Sequence, residues 1–345
     1  MTPAELSRTV LHAVCRAVED DALPGPVPER VAVDRPRPGG RGDYATNVAL
    51  RLAGPAGRPP REVAEILRTT LLRTTPGSAI ERVEITGPGF LNFTLAAHSR
   101  ADARTGLLRT IRHAGTRYGH GDALAGTTVA LAPAEEPRAA LWTRTAVALL
   151  RTQGAEAAVV PGAAETPRPV PVTPAATADE LYARLGPDAA HWALLRPAAH
   201  DRPYTDGEAA RTLLVQRESN GLFLVRYAYA RTRAAARAAR QLSLTPAETA
   251  GTLTEDPATA LLALLGDHPA VLAAAARLRA PDRLARHLEH LADTYLRFQE
   301  TCPPLPLGDE KPSAAHRSRL ALAEATGTVL AGGLSLLGVD APEHL

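Results

Sequence analysis

The sequence predicts a multidomain α+β chain: a small N-terminal α/β region over residues 1–98, a middle segment over 99–215 that opens as strand, helix, strand, and an all-helical bundle over 216–345. Three observations carry that expectation. At 345 residues the chain exceeds the length at which single cores usually stop growing. FLNFTL at 90–95 alternates strictly, placing Leu91, Phe93 and Leu95 on one face of a strand and Phe90, Asn92 and Thr94 on the other. From Glu218 onward the apolar residues recur at helical spacing throughout.

The elements follow in order. Thr2 as N-cap and Pro3 at the first helical position open an amphipathic helix to about Glu19. A Pro-rich link leads to a short strand near 31–33, then GGRGDYATNVALRLAG reads as a glycine-rich turn running into a helix, and Pro60 starts another. Ile80, Val83 and Ile85 mark a strand that Gly87-Pro88-Gly89 interrupts before FLNFTL. A helix over 96–114 enters the middle segment, where 127–133 and AEAAVVPG read as strands around a helix over 139–153, followed by a Pro-rich linker over 161–178 and a helical stretch, ELYARLGPDAAHWALLR. In the bundle, Asp282 is placed to cap a helix whose Leu284, Leu288, Leu291, Tyr295 and Phe298 form one apolar stripe. Leu320, Ala323, Leu330, Leu334 and Leu337 form another, and Gly332-Gly333 permits a close neighbour.

Composition narrows the function. Hydrophobic residues make up 45% but aromatics only 4%, so the cores must be built from Ala, Leu and Val. Lys and Arg number 39 against 37 acids, a net charge of +2, and a nucleic-acid partner is neither required nor excluded. Cys15 and Cys302 stand far apart with no CxxC, which argues against a disulfide framework or zinc site and fits a reducing cytoplasm. No 18-residue apolar run suggests a membrane span. His287 and His290 form a bare HxxH with no third ligand in evidence, and no GxSxG, HExxH or Walker-type phosphate loop occurs.

Distribution of charge is more informative. Residues 222–242, LFLVRYAYARTRAAARAARQL, hold five arginines and no acid. On a helical wheel Arg226, Arg233, Arg237 and Arg240 fall within an arc of roughly 60°, with Leu222 and Tyr229 beside them and Leu224, Ala228, Ala235 and Leu242 opposite. Two readings stay open for such a row: a solvated charged face, or a wall gripping phosphate through paired N–H donors.

GDYATNVALRLA, PREVAEIL and GPGFLNFTL resemble, in that order, the N-terminal additional domain of arginyl-tRNA synthetases. ESNGLFLVRYAYARTR, LRAPDRLARHLEHLADTYLRFQETC and SRLALAEATGTVLAGGLSLLGVDAPEHL resemble that family's DALR anticodon-binding domain. The resemblance implies that Phe90 and Asn92 approach a base of the tRNA D-loop. It also implies that Arg226, Tyr229, Arg233, Arg237, Arg240, His287 and Leu345 lie on the anticodon side, although the family commonly has Tyr at the His287 position and Met at the Leu345 position.

The middle departs from the family. Where the family carries His-Ile-Gly-His to cradle ATP, residues 132–142 read APAEEPRAALW, and Glu135 and Glu136 stand where a triphosphate would need donors. The Lys-Met-Ser-Lys-type loop has no counterpart, since Lys311 is the only lysine. The resemblance therefore implies a truncated Rossmann-like remnant between two tRNA-contacting domains. The expectation is a cytoplasmic, non-catalytic protein with no cofactor and no metal. It would bind tRNA, with tRNA(Arg) the expected species, and sequester it or present it to an enzyme that uses aminoacyl-tRNA. The alternatives are residual aminoacyl-tRNA-related activity, or a protein-interaction module that has lost RNA binding.

Overall fold

The computed structural model describes residues 3–36, 41–74, 79–248 and 253–345. The expected N-cap Thr2 and the pair Gly39-Gly40 lie outside the described residues. The chain forms two compact units, Met1–Gly106 and Leu107–Leu345.

In the first unit, α1 (Pro3–Glu19) buries Leu6, Val10, Val14 and Ala17. Helices α2 (Val48–Ala56) and α3 (Pro60–Thr74) add Val48, Leu52, Val63, Leu67 and Leu71 to the same core. These helices pack with an antiparallel sheet of β1 (Tyr44–Thr46), β2 (Ile80–Thr86) and β3 (Phe90–Leu95), in the order β1-β3-β2. The alternation in β3 is confirmed on its apolar side, where Leu91 and Phe93 are fully buried and pair with Ile85 and Val83. The strand expected near 31–33 does not form. Val31 and Ala32 instead offer their carbonyls to the hydroxyls of Ser7 and Thr46, and one isolated bridge joins Asp34 to Ala45. Pro36, two residues on, has no N–H with which to extend a ladder. The GDY turn presses against β3: Gly42 has φ +82°, a Cβ there would stand 2.7 Å from the Phe93 carbonyl oxygen, and the Asp43 carboxylate accepts the Leu95 N–H at 2.7 Å.

Helix α4 (Ala97–Ala114) carries the chain from the first unit into the second. The expected strand-helix-strand is present as β4 (Thr128–Leu131), α5 (Pro137–Thr152) and β5 (Glu156–Val159), with β4 and β5 parallel. Short helices α6 (Ala178–Leu185), α7 (Pro187–Leu195) and α8 (Gly207–Thr212) lead to the long ones: α9 (Gly221–Gln241), α10 (Asp256–Leu278), α11 (Pro281–Thr301) and α12 (Ala314–Leu336). The middle segment divides its apolar residues between two cores: Val129, Leu131, Ala146, Val147, Leu150 and Ala157 form a small one between the strands and α5, while Trp142, Leu149, Leu181 and Trp192 join one cluster with Val225, Leu288, Leu291 and Leu330.

Both bundle stripes are buried as their periodicity demands. Gly332 and Gly333 hold α12 close to its neighbours: a Cβ would fall 2.5 Å from the Thr116 carbonyl oxygen and 2.6 Å from Leu288, respectively. Asp282 is not the cap, because α11 starts at Pro281 and Asp282 is buried in its first turn. Helix α10 is long and apolar enough to cross a membrane by length and composition alone, but Leu261, Leu262, Leu265, Leu272, Ala275 and Ala276 are spent on the bundle core.

One buried charge organises the middle segment. Arg138, in the first turn of α5, is fully buried, and its guanidinium donates to five backbone carbonyls: Leu194 from Nε at 2.9 Å, Val170 and Asp201 from Nη1 at 2.8 and 2.7 Å, and Pro197 and Ala198 from Nη2 at 2.9 Å each. All five N–H donors are thus used. The guanidinium also sits 5.2 Å from the centroid of the Trp142 ring. Burial draws its pKa below the ordinary arginine value, opposed by Glu136, Asp201 and Asp282.

A second buried group sits between α10 and α11. The His268 ring stacks on Tyr118 at 5.8 Å and lies 5.3 Å from the His287 ring. Burial above all, with His287 and His120 adding repulsion, pushes His268 down to about 3. Burial and His290 push His287 down to about 4.

Each of these buried groups can be tested by unfolding. Arg138→Met orphans five carbonyls and should destabilise the second unit by about 3 kcal/mol or more in urea unfolding; Arg138→Lys, with three donors, should recover only part of that. Both histidines are neutral when folded at pH 7 but titrate near 6.5 when unfolded. The unfolded chain therefore binds more protons once the pH drops below about 6.5, and stability should fall by up to about 1.4 kcal/mol per pH unit for each histidine until the folded values are reached. Urea midpoints measured from pH 7 to pH 4 should show this slope, and His268→Phe with His287→Phe should flatten it.

Candidate nucleic-acid interface

Helix α9 is set by Asn220, whose side-chain oxygen caps the Phe223 N–H at 3.2 Å while its amide nitrogen holds the Leu213 and Val215 carbonyls at 3.0 and 2.9 Å. Its buried face is Val225, Ala228, Thr232, Ala235, Ala236 and Ala239. Gly327 of α12 makes this approach possible, since a Cβ there would lie 2.3 Å from Thr232 Oγ1. The buried face is thus turned by roughly 60° from the one the arginine pattern suggests: Leu222, expected beside the arginines, is buried, and Leu242, expected opposite, is exposed.

The arginine row consequently runs along the flank of the helix, where it meets acids. Arg226 pairs with Asp188 of α7 at 3.2 Å. Arg233 reaches Glu343 Oε1 through Nε at 3.0 Å and Nη2 at 2.9 Å, and Arg237 reaches Glu343 Oε2 at 3.5 Å and its carbonyl oxygen at 3.3 Å. Arg240 is exposed at the end of the helix, with the half-buried Glu324 of α12 within electrostatic range of it and of Arg233. Tyr229 is half-buried against the core, and Leu345 is exposed. His287 is not on this surface: it is buried against His268, because its position on α11 faces α10, whereas His290 one turn on is exposed.

The neighbouring face of α9 carries a feature that charge alone does not reveal. Phe223 and Tyr227 stack at 5.5 Å with their planes 15° apart. Beside them opens a cleft of about 540 Å³ between α9 and α11, lined by Tyr227, Arg231, Leu296, Gln299, Pro304 and Leu307, in which Arg231 donates to the Gln299 side chain at 3.3 Å. An exposed Tyr227 backed by a half-buried Phe223, beside a guanidinium and an amide, is the chemistry that stacks on a base and reads its edge. Their signal in the sequence is two rings four residues apart in a chain that is only 4% aromatic.

In the first unit, Phe90 is exposed but Asn92 is buried. The Asn92 amide donates to Thr86 Oγ1 at 2.7 Å across the β2–β3 hairpin. The expected surface pair of ring and amide is therefore a surface ring above a hairpin-bracing amide. The interior position of β3 leaves the Asn92 side chain more covered than strand alternation alone implies.

At the start of α5, Glu136 fills the place where an anion would sit. One carboxylate oxygen accepts the Ala139 N–H at 2.7 Å as the N-cap, and the other accepts the Val172 N–H at 2.9 Å, fastening the Pro-rich stretch across the helix end. Glu135 beside it is exposed.

Comparison with known proteins places these features. Residues 5–95 match the arginyl tRNA synthetase N terminal domain, and residues 225–345 match the DALR anticodon binding domain. An arginine–tRNA ligase of Frankia alni is 28% identical in an alignment of 562 positions covering all of both chains. Since this chain supplies only 345 residues to it, the relative holds many positions left unfilled here. In fold the chain is similar over its whole length to the arginyl-tRNA synthetase of Thermus thermophilus, with a TM-score of 0.69 at 13% identity. It is likewise similar to that of Plasmodium falciparum, with a TM-score of 0.62 at 10% identity; both structures are covered completely.

Burial separates the roles of the two β3 residues in a measurable way. Phe90→Ala should change stability by no more than about 0.5 kcal/mol, whereas Asn92→Ala should cost about 1 to 2 kcal/mol in urea unfolding of the first unit. Any effect of Phe90→Ala on RNA binding would then be a surface effect.

Proposed function

The chain carries an arginyl-tRNA synthetase N-terminal domain and a DALR anticodon-binding domain, and on that premise we propose that it binds tRNA, with tRNA(Arg) as its species, without charging it. The single observation that carries the non-catalytic half of this reading is the occupied start of α5. Helix N-termini attract phosphate because their N–H groups are unpaired and their dipole is positive; here Glu136 already satisfies that end, and Arg138 spends every donor on backbone carbonyls. A triphosphate entering there would meet two carboxylates and no free guanidinium from this helix turn. The absence of any lysine before Lys311 points the same way.

The binding half rests on the anticodon-binding domain and on the surface of α9, where the stacked Phe223 and Tyr227 with Arg231 can hold a base and the arginine row can meet the backbone. Phe90 supplies a second aromatic contact from the N-terminal domain, and two linked contacts raise affinity through effective concentration. A protein of this kind would hold tRNA or arginyl-tRNA and hand it to an enzyme that consumes the aminoacyl group.

The test is a pair of assays on the full chain. Gel-shift titration should show tRNA binding that weakens as salt rises, with a linear dependence of log affinity on log salt, and Tyr227→Ala should weaken it about tenfold through the lost stacking. ATP–pyrophosphate exchange and arginylation should stay at the level of heat-killed protein. Exchange above that level would overturn the non-catalytic reading, and no binding at low salt would leave a protein-interaction module in its place.

A further inference from the structure

The row of guanidinium groups on α9 is already occupied by the chain's own carboxylate, and the way that carboxylate is held is uneven along the segment that delivers it. Residues 338–340 are anchored: His191 Nδ1 contacts the Gly338 carbonyl oxygen at 2.7 Å, Val339 is buried, and the Asp340 N–H donates to Asp188 Oδ1 at 3.1 Å. Residues 341–345 have no helix or strand, and their hydrogen bonds and ion pairs, among the described residues, go to Arg233 and Arg237 alone. Glu343 at their centre is half-exposed, so both partners remain open to solvent and to competing anions.

We propose that residues 342–345 are a displaceable latch: Glu343 stands in for an RNA phosphate on Arg233 and Arg237, and a phosphate group takes the same donors by moving the segment off the helix. This deepens the tRNA-binding reading and rests on it for the identity of the polyanion. The exchange replaces one singly charged oxyanion by another on the same paired N–H groups, so it requires no rearrangement of α9. The hinge falls after Ala341, the last residue of the segment that packs against the core of the second unit. The stub of chain up to that residue stays tied to α7 whether the latch is open or closed. Arg226 lies outside the exchange, since its partner Asp188 belongs to the anchored side.

Two measurements on the full-length chain decide the matter. In fluorescence anisotropy with tRNA, Glu343→Gln should bind about two- to fivefold more tightly than the native chain, the factor expected for releasing an exposed ion pair. The same substitution in an Arg233→Ala, Arg237→Ala background should give no gain. In NMR spectra, the amide signals of Glu343, His344 and Leu345 should shift when inorganic tripolyphosphate is added to the native chain, moving toward the positions that the Glu343→Gln variant shows for these three sites, with Val339 and Asp340 unmoved. If tRNA binds the native chain but Glu343→Gln brings no gain, the latch is overturned and the RNA-binding reading stands. If tRNA binds neither form while tripolyphosphate still moves the three signals, the latch holds for phosphate and the RNA reading falls. Signals that stay in place with both polyanions refute the latch outright.

Discussion

Arg138 is the constraint from which the second unit is built. A two-stranded parallel sheet with one crossover helix has few neighbouring strands to order the loops around it. Here a single guanidinium takes over part of that task by gathering carbonyls from residues 170, 194, 197, 198 and 201 around the first turn of α5. Burying an arginine is unfavourable by several kcal/mol when it is unpaired. With five acceptors in place it instead fixes the geometry of segments that have little regular structure of their own, and that is why the Pro-rich stretch lies ordered over the helix end.

The consequences travel outward through α7. Four of the five acceptors lie at the end of that helix or just beyond it, so Arg138 fixes where α7 sits on the bundle. The opposite end of α7 carries Asp188 and its middle carries His191, and these hold Arg226, Asp340 and Gly338. Arg138 thus helps define the surface of α9 and the position of the segment across it. The middle segment braces the helical bundle through Trp142, Leu149, Leu181 and Trp192, which share its core, while β4, β5 and the other side of α5 keep a small core of their own.

Much of this was legible in the sequence, and the failures have a common physical origin. Period and punctuation located β2, β3, the β4–α5–β5 unit, both stripes of the bundle and the close approach at Gly332-Gly333, because each of those signals is local. The orientation of α9 was not legible, since alanines at 228, 230, 234, 235, 236, 238 and 239 surround the helix and give no apolar maximum; only the fit of Gly327 against Thr232 decides which side goes in. The partners of the arginines were hidden for the same reason, as Asp188 and Glu343 are remote in sequence. Asn92 and His287 look alike in this respect: a polar residue at a position that periodicity leaves ambiguous is placed by its tertiary neighbours, Thr86 for one and His268 for the other.

The division of α9 into three faces bears on how affinity and specificity are separated. The buried face fixes the helix, the flank holds guanidinium groups partly neutralised by Asp188 and by a Glu343 shared between two of them, and the remaining face offers Phe223, Tyr227 and Arg231 beside a cleft. Partly neutralised guanidinium groups attract polyanions less at a distance than free ones, which accords with a net charge of only +2 and disfavours indiscriminate phosphate binding. Recognition then depends more on the aromatic face, whose stacking is less sensitive to salt than phosphate contacts are. An RNA that presents an unstacked base to that face while its backbone reaches Arg233 and Arg237 can use both sets of contacts. On the proposed reading, a duplex that presents only phosphate would compete with Glu343 and find no base to stack, so the same carboxylate that blunts the charge would favour single-stranded loops over helices.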